Sequence, residues 1–118
     1  MTTGISIAHS ATVGKGLYVG HFGGIVIGGD VVMGERCNVG QGVTIGVDGQ
    51  GLARGSPRIG DGVHVAPGAK VFGRIEIGSH TRIGANAVVN RDVPSRVLAA
   101  GVPAKILREY PVPGDEPQ

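Results

Sequence analysis

Residues 25–46 read IVIGGDVVMGERCNVGQGVTIG, and the spacing within them decides the fold. Ile27, Met33, Val39 and Ile45 each precede a glycine and follow one another at intervals of six. Two residues before each stands a second apolar side chain: Ile25, Val31, Cys37 and Val43. Inward residues separated by two are the mark of strand alternation. A helix would need apolar spacings of three and four in alternation, whereas the two lattices here alternate spacings of two and four. Each hexad is therefore a short strand and a bend, with glycine supplying a permissive backbone at the bend.

The same two lattices extend outward in both directions. Ile7, Val13 and Val19 precede the central anchors, and Ile59, Val65, Val71, Ile77, Ile83 and Val89 follow them. The companion lattice adds Ile5, Ala11 and Leu17, then Pro57, Val63, Ala69, Ile75, Thr81, Ala87 and Val93. Only Pro57 and Thr81 depart from its apolar character. The interval is six except between Val19 and Ile27, where it is eight, and between Ile45 and Ile59, where it is fourteen. Three strands per coil make an all-β solenoid of four to five coils, a triangular prism whose successive strands lie about 4.8 Å apart. The repeat is expected to end at Val93. Beyond it, Ala104–Tyr110 is expected to form one or two helical turns. Residues 1–110 then make one domain, and PVPGDEPQ (111–118) reads as a disordered tail.

Composition agrees with a narrow aliphatic core. The 118 residues include 23 glycines but only four aromatics, Tyr18, Phe22, Phe72 and Tyr110. Such a length suits a single domain. A formal charge of +2 sets up no strong field for nucleic acid or membrane. No apolar run is long enough to span a bilayer, and no charged start precedes an apolar stretch, so a cytoplasmic location is expected. The single cysteine, Cys37, excludes an internal disulfide, fits a reducing compartment and falls on the inward lattice as a core residue. His9 and His80 fall at bends and His64 points outward. These scattered histidines lack the convergence a zinc site needs, so no metal is expected.

A solenoid is most informative where its repeat is interrupted, because insertions map to loops and binding faces. Counting anchors in threes places Ile7, Ile27, Ile45, Val71 and Val89 on one face. Val13, Met33, Ile59 and Ile77 share a second face, and Val19, Val39, Val65 and Ile83 a third. The short insertion, Gly20–Gly24, lies on the corner after the third face. The long one, within Val47–Ser56, lies on the corner after the first. These are different edges of one prism. A threefold assembly would bring the His21 edge of one subunit against the loop edge of its neighbour. Neutral imidazole near pH 7 suits removal of a proton from an attacking alcohol.

The repeat over residues 5–93 resembles the hexapeptide signature of bacterial acyltransferases. The resemblance implies a left-handed parallel β-helix; the spacing does not set the hand, and the general rule for parallel crossovers points to the opposite one. Four stretches are similar to serine acetyltransferases, above all the serine-acetyltransferase-like enzymes of polysaccharide gene clusters. They are GLYVGHFGGIVIG (16–28), NVGQGVTIG (38–46), VAPGAKVFG (65–73) and AGVPAKIL (100–107). The likeness covers about residues 5–108 and implies a homotrimer that moves acetyl from acetyl-CoA to an acceptor hydroxyl, of serine or a sugar, with His21 as general base. It also implies a coenzyme groove lined by Gly46, Asp48, Ala66, Pro67, Gly84 and Ala85. Arg82 and Lys105 match its phosphate-binding positions, with Lys70, Arg74 and Arg108 in reserve. Backbone N–H groups at Gly46 or Val47 are candidates for stabilising the oxyanion. Phe22 and Phe72 are expected at the contacts between copies.

Two positions depart from the serine acetyltransferase pattern. Gly20 stands where an aspartate precedes the base, and Ser56 stands where a histidine precedes the loop-closing proline. Both family side chains help engage the amino-acid acceptor. Here the Nδ1 of His21 is left to a backbone carbonyl or to Asp48 of a neighbouring copy. The helical N-terminal domain of the longer enzymes is absent from this sequence, so a simple trimer is expected. A non-catalytic trimeric binding or oligomerisation module is the alternative from another class, and a sugar N-acetyltransferase is a second enzymatic one. A module predicts intact repeats with no retained base.

Overall fold

The computed structural model describes residues 5–19, 23–51 and 54–110, and these build a parallel β-solenoid with three faces. The strands are numbered along the chain. The first face carries β1 (Ile5–Ile7), β4 (Ile25–Ile27), β7 (Thr44–Gly46), β10 (Lys70–Phe72) and β13 (Val88–Val89). The second carries β2 (Thr12–Val13), β5 (Val32–Met33), β8 (Arg58–Ile59) and β11 (Glu76–Ile77). On the third lie β3 (Tyr18–Val19), β6 (Asn38–Val39), β9 (His64–Val65), β12 (Arg82–Ile83), β14 (Val97–Ala100) and β15 (Lys105–Glu109).

Anchor stands opposite anchor throughout. Ile27 pairs with Ile7 and Ile45, Met33 with Val13 and Ile59, and Val65 with Val39 and Ile83. The side chains of both lattices meet along the prism axis, where Ile25, Val31, Val39, Val43, Ile45, Val63, Val65 and Val71 are fully buried. Pro57 is buried as well. Among the described residues Thr81 is the one buried polar residue of the core, and its hydroxyl donates to the Pro94 carbonyl at 2.7 Å. Among the described residues β1 has a neighbouring strand on one side only, and Ile5 and Ile7 are exposed.

Close stacking explains the corner glycines. A Cβ on Gly34 would lie 2.8 Å from the Gly60 carbonyl carbon of the next coil, a backbone atom that cannot step aside. At the following bend positions the chain turns through the left-handed region even without glycine, as at Arg36 (φ 56°), His80 (φ 61°) and Arg96 (φ 60°).

The C-terminal third differs from expectation in two ways. The repeat does not end at Val93. Val93 bridges Ile77, so it takes an anchor position rather than the companion position expected of it. Pro94 has no N–H to extend that pairing. The repeat then resumes, with Leu98 and Ala99 opposite Arg82 and Ile83. The second difference is that the expected helical turns at 104–110 are a strand. β15 runs antiparallel to β14, with Ala100 opposite Lys105 and Leu98 opposite Arg108. The last coil ends in an open strand edge whose N–H and C=O groups need partners. Pairing satisfies them, whereas a helix this short is marginal by itself.

Candidate functional site

The long insertion folds as a small hairpin at the corner after the first face. Asp48 and Gly55 exchange two backbone hydrogen bonds, of 3.1 and 3.0 Å, at its root. Ser56 secures the returning strand: its hydroxyl donates to the Gly29 carbonyl of the coil below at 2.6 Å. The residue standing in for the family histidine is therefore committed to the scaffold. Gly55 lies under Arg74, whose Cβ is 2.6 Å from where a Cβ on Gly55 would sit. Beside them a groove of about 260 Å³ is lined by Asp48, Phe72, Arg74 and Asn90, among others. Gly46 pairs with Phe72, nothing lies within 4 Å of its Cβ position, and the adjacent Val47 is exposed.

His21, with Gly20 and Phe22, lies outside the described residues, as do Leu52 and Ala53 of the long insertion. Val19 and Gly23 bracket the His21 corner. Above it runs a column of small residues joined from coil to coil. The Gly40 N–H donates to Val65, the Ala66 N–H to Ile83 and the Gly84 N–H to Ala99, at 2.9, 2.9 and 2.8 Å. Pro67 packs on Gly40, where a Cβ would meet the ring at 2.7 Å. Ala66, Pro67, Gly84 and Ala85 thus share one edge, as counting in threes expects. Gly46 and Asp48 are on another edge of the same prism. Lys70, on the first face beside this corner, donates from Nζ to the Gly42 carbonyl at 2.6 Å.

The basic residues separate. Lys105 lies opposite Ala100, at the top of the small-residue column. Arg82 lies on the flat of the third face between His64 and Leu98. There it meets Arg108 and Tyr110. The Arg82 and Arg108 guanidinium carbons are 5.5 and 6.0 Å from the centroid of the Tyr110 ring. Outward alternation marks Arg82 as a surface residue, but only the register of β15 brings Arg108 to it.

His64 is exposed in β9, and His9 and His80 lie at bends. Cys37 is buried, with its thiol donating weakly to the Gly60 carbonyl at 3.2 Å. Burial pushes the thiol pKa up, and the nearby Asp61 carboxylate adds to that effect. Among the described residues, no three His, Cys, Asp or Glu side chains group as a metal site would require. No helix among them is long and apolar enough to cross a membrane.

Residues 56–91 match the model of the bacterial transferase hexapeptide family (six repeats). Fold and repeats together make the chain similar to hexapeptide-repeat proteins of the bacterial transferase class. Its particular likeness is to serine acetyltransferases. That of Staphylococcus aureus is 43% identical over 107 residues, which cover 91% of this chain and 50% of the relative. The crystal structure of the Neisseria gonorrhoeae serine acetyltransferase superposes with a TM-score of 0.85 at 39% identity, over 94% of this chain and 43% of that one. A soybean serine acetyltransferase solved with serine gives a TM-score of 0.80 at 39% identity, over 86% of this chain and 42% of that one. The chain thus spans half or less of the length of these relatives.

Proposed function

We propose that this chain is the solenoid of an acetyl-CoA-dependent O-acetyltransferase, active as a homotrimer, with His21 as its general base. The observation that carries the reading is the pair of breaks on two edges of a regular prism, in a chain similar along its length to serine acetyltransferases. One break holds His21 in sequence; the other is the hairpin at 47–56.

The chemistry asks for little beyond a base and positioning. His21 takes the proton of the acceptor hydroxyl as its oxygen attacks the thioester carbonyl carbon. A C–O bond forms, the carbonyl pair moves onto oxygen, and collapse breaks the C–S bond. The departing thiolate recovers the proton from the imidazolium. A backbone N–H at Gly46 or Val47 is suited to the transient oxyanion. The column of Ala66, Pro67, Gly84 and Ala85 gives the pantetheine arm a small-residue edge that it can approach closely. Lys105 and Arg82 supply charge for the phosphates.

Outward side chains support an assembly with the first face turned to a threefold axis. That row reads Ser6, Val26, Thr44, Lys70 and Val88, and its one charge is tied to Gly42. The second face shows Arg58 and Glu76, and the third shows His64, Arg82 and Arg108. With the first face inward, each of its edges meets the other edge of a neighbour, so hairpin and His21 corner adjoin across the interface.

The acceptor is an alcohol, of serine or a sugar. Gly20 and the committed Ser56 hydroxyl give the amino acid fewer partners than the family pattern does, so sugars belong in the same screen. Acetyl-CoA is incubated with L-serine, sugars and nucleotide sugars, and free thiol is followed. His21→Ala should keep the trimer and the affinity for CoA while lowering transfer about 100- to 10,000-fold. The parental kcat/KM should show an ionisation near 6 to 7, roughly the imidazole range. Near-parental turnover by His21→Ala with a verified acceptor would leave the binding module as the better account.

A further inference from the structure

We propose that Lys70 is a positioning residue for acetyl transfer, holding the bend at Gly42 on which the His21 corner is stacked. The inference rests on His21 as the base and gives Lys70 a task other than the coenzyme phosphates. Lys70 lies in β10 opposite Thr44 of β7. Gly42 comes two residues before Thr44, so the Lys70 side chain runs back toward the corner between the third and first faces. Its Nζ donates to the Gly42 carbonyl at 2.6 Å, across 28 residues of sequence. Gly42 in turn reaches the coil below. Its N–H donates to the Gly23 carbonyl at 3.1 Å. A Cβ on Gly24 would stand 3.3 Å from the Gly42 Cα. Gly23 and Gly24 are the second and third residues after His21.

The bend needs such a tie because its backbone is permissive. Gly23, Gly24 and Gly42 have φ of 88°, 75° and 72°, in the left-handed region that glycine enters and leaves freely. The ladder holds the carbonyls on either side: Gln41 accepts from the Gly68 N–H at 2.8 Å, and Val43 from the Val26 N–H at 2.9 Å. The Gly42 carbonyl takes the ammonium of Lys70 instead. A hydrogen bond from an ionised donor is roughly twice as strong as one between neutral groups. It fixes the residue whose N–H carries Gly23. The rest of the outward row on this face, Ser6, Val26, Thr44 and Val88, is uncharged. An ammonium half-buried there without a partner would cost free energy, and the partner it has is the bend.

The small-residue column does not depend on this tie. Gly40, Ala66 and Gly84 are joined by their own ladder bonds, of 2.9, 2.9 and 2.8 Å to Val65, Ile83 and Ala99. Loss of the Lys70 ammonium therefore frees the Gly42 bend and, through it, Gly23, while the column stays in place. A general base works only within hydrogen-bond reach of the proton it removes. A displacement of about 1 Å costs on the order of 100-fold in rate. The signature of a positioning lysine is thus a lower kcat with KM for acetyl-CoA unchanged. A lysine serving the phosphates gives the opposite, a raised KM with kcat kept.

The test uses the full chain with Lys70→Met, Lys70→Arg and the control Arg58→Met, which removes a cation from the exposed second face. Light scattering and melting curves confirm that each variant is folded and assembled like the parent, and Lys70→Gln replaces Lys70→Met if that variant does not assemble. Thiol release from acetyl-CoA is followed with the acceptor found in the screen of L-serine, sugars and nucleotide sugars. Lys70→Met should lower kcat about 10- to 100-fold while KM for acetyl-CoA stays within about twofold of the parent. Lys70→Arg should recover most of the loss, and Arg58→Met should match the parent. Amide hydrogen exchange by NMR needs no acceptor: the Gly42 N–H should exchange about tenfold faster, or more, in Lys70→Met than in the parent. Parental exchange at Gly42, a parental kcat, or a raised KM with kcat kept overturns the proposal. Near-parental turnover by His21→Ala removes the base reading itself, and exchange at Gly42 then still decides whether Lys70 holds the bend.

Discussion

Cys37 shows how much one inward position is constrained. It replaces an aliphatic residue in the companion lattice, is buried to the same degree, and sits beneath the Gly60 carbonyl. The raised thiol pKa ties this burial to pH. At neutral pH the thiol is protonated in both folded and unfolded chains and costs nothing. As the pH passes the ordinary thiol range, near 8.5, the unfolded thiol ionises while the folded one resists. Stability should therefore fall on the alkaline side. Cys37→Val should flatten that fall relative to the parent in melting temperatures taken from pH 7 to 10. An identical alkaline slope in both proteins would contradict the assignment. The lattice position of Cys37 was readable from spacing. The role of Thr81 was not: its hydroxyl is retained because the Pro94 carbonyl, where the repeat skips, needs a donor. Ser56 was likewise singled out by its position, but its bond to Gly29 comes from the coil below, 27 residues away.

At the scale of strands and corners, periodicity carried nearly everything up to β13. Counting in threes assigned each anchor to its face and set the hairpin on the corner after the first. This works because coils of nearly equal length stack in register, so sequence interval becomes spatial column. The corner glycine is the local condition for that stacking. Gly34→Ala should cost roughly 2 kcal/mol or more, in the range of strained or overpacked sites, because the added methyl meets the Gly60 backbone. Chemical denaturation measures the loss, and a change below about 0.5 kcal/mol would show that the coils can separate cheaply. Gly46→Ala, where nothing lies within 4 Å of the added methyl, is the matched comparison. Periodicity failed at β14 and β15. Val93 comes four residues after Val89 instead of six, and β15 pairs antiparallel through an irregular register at Leu98 and Ala99. Local sequence there is compatible with a helical turn, and the open edge of β14 decides against it.

At the scale of the molecule, the proposed assembly of three copies rests on the first face, whose one outward charge is tied to Gly42, and on the two interrupted edges. Val26 and Val32 are both exposed valines of the second coil, at 43% and 36%, on the first and second faces. They differ only in which face they present. Val26→Glu should convert the trimer to monomer at micromolar concentration, since an unpaired carboxylate would be buried at the axis. Val32→Glu should remain a trimer. Light scattering coupled to size exclusion reads both. A parental monomer would remove the shared-site argument, and a trimeric Val26→Glu would move the interface to another face.

The sequence by itself determined the solenoid, its three faces, the two corners where it is interrupted and the residue types gathered at each. A short repeat imposes those features, because every inward position is specified again in each coil. Tertiary structure alone decided how the last coil closes, what occupies the Ser56 hydroxyl and that Arg82 and Arg108 converge on Tyr110. Each of these depends on a partner outside the six-residue period, reached through an open strand edge or a neighbouring coil. Nothing in the local spacing records such a partner.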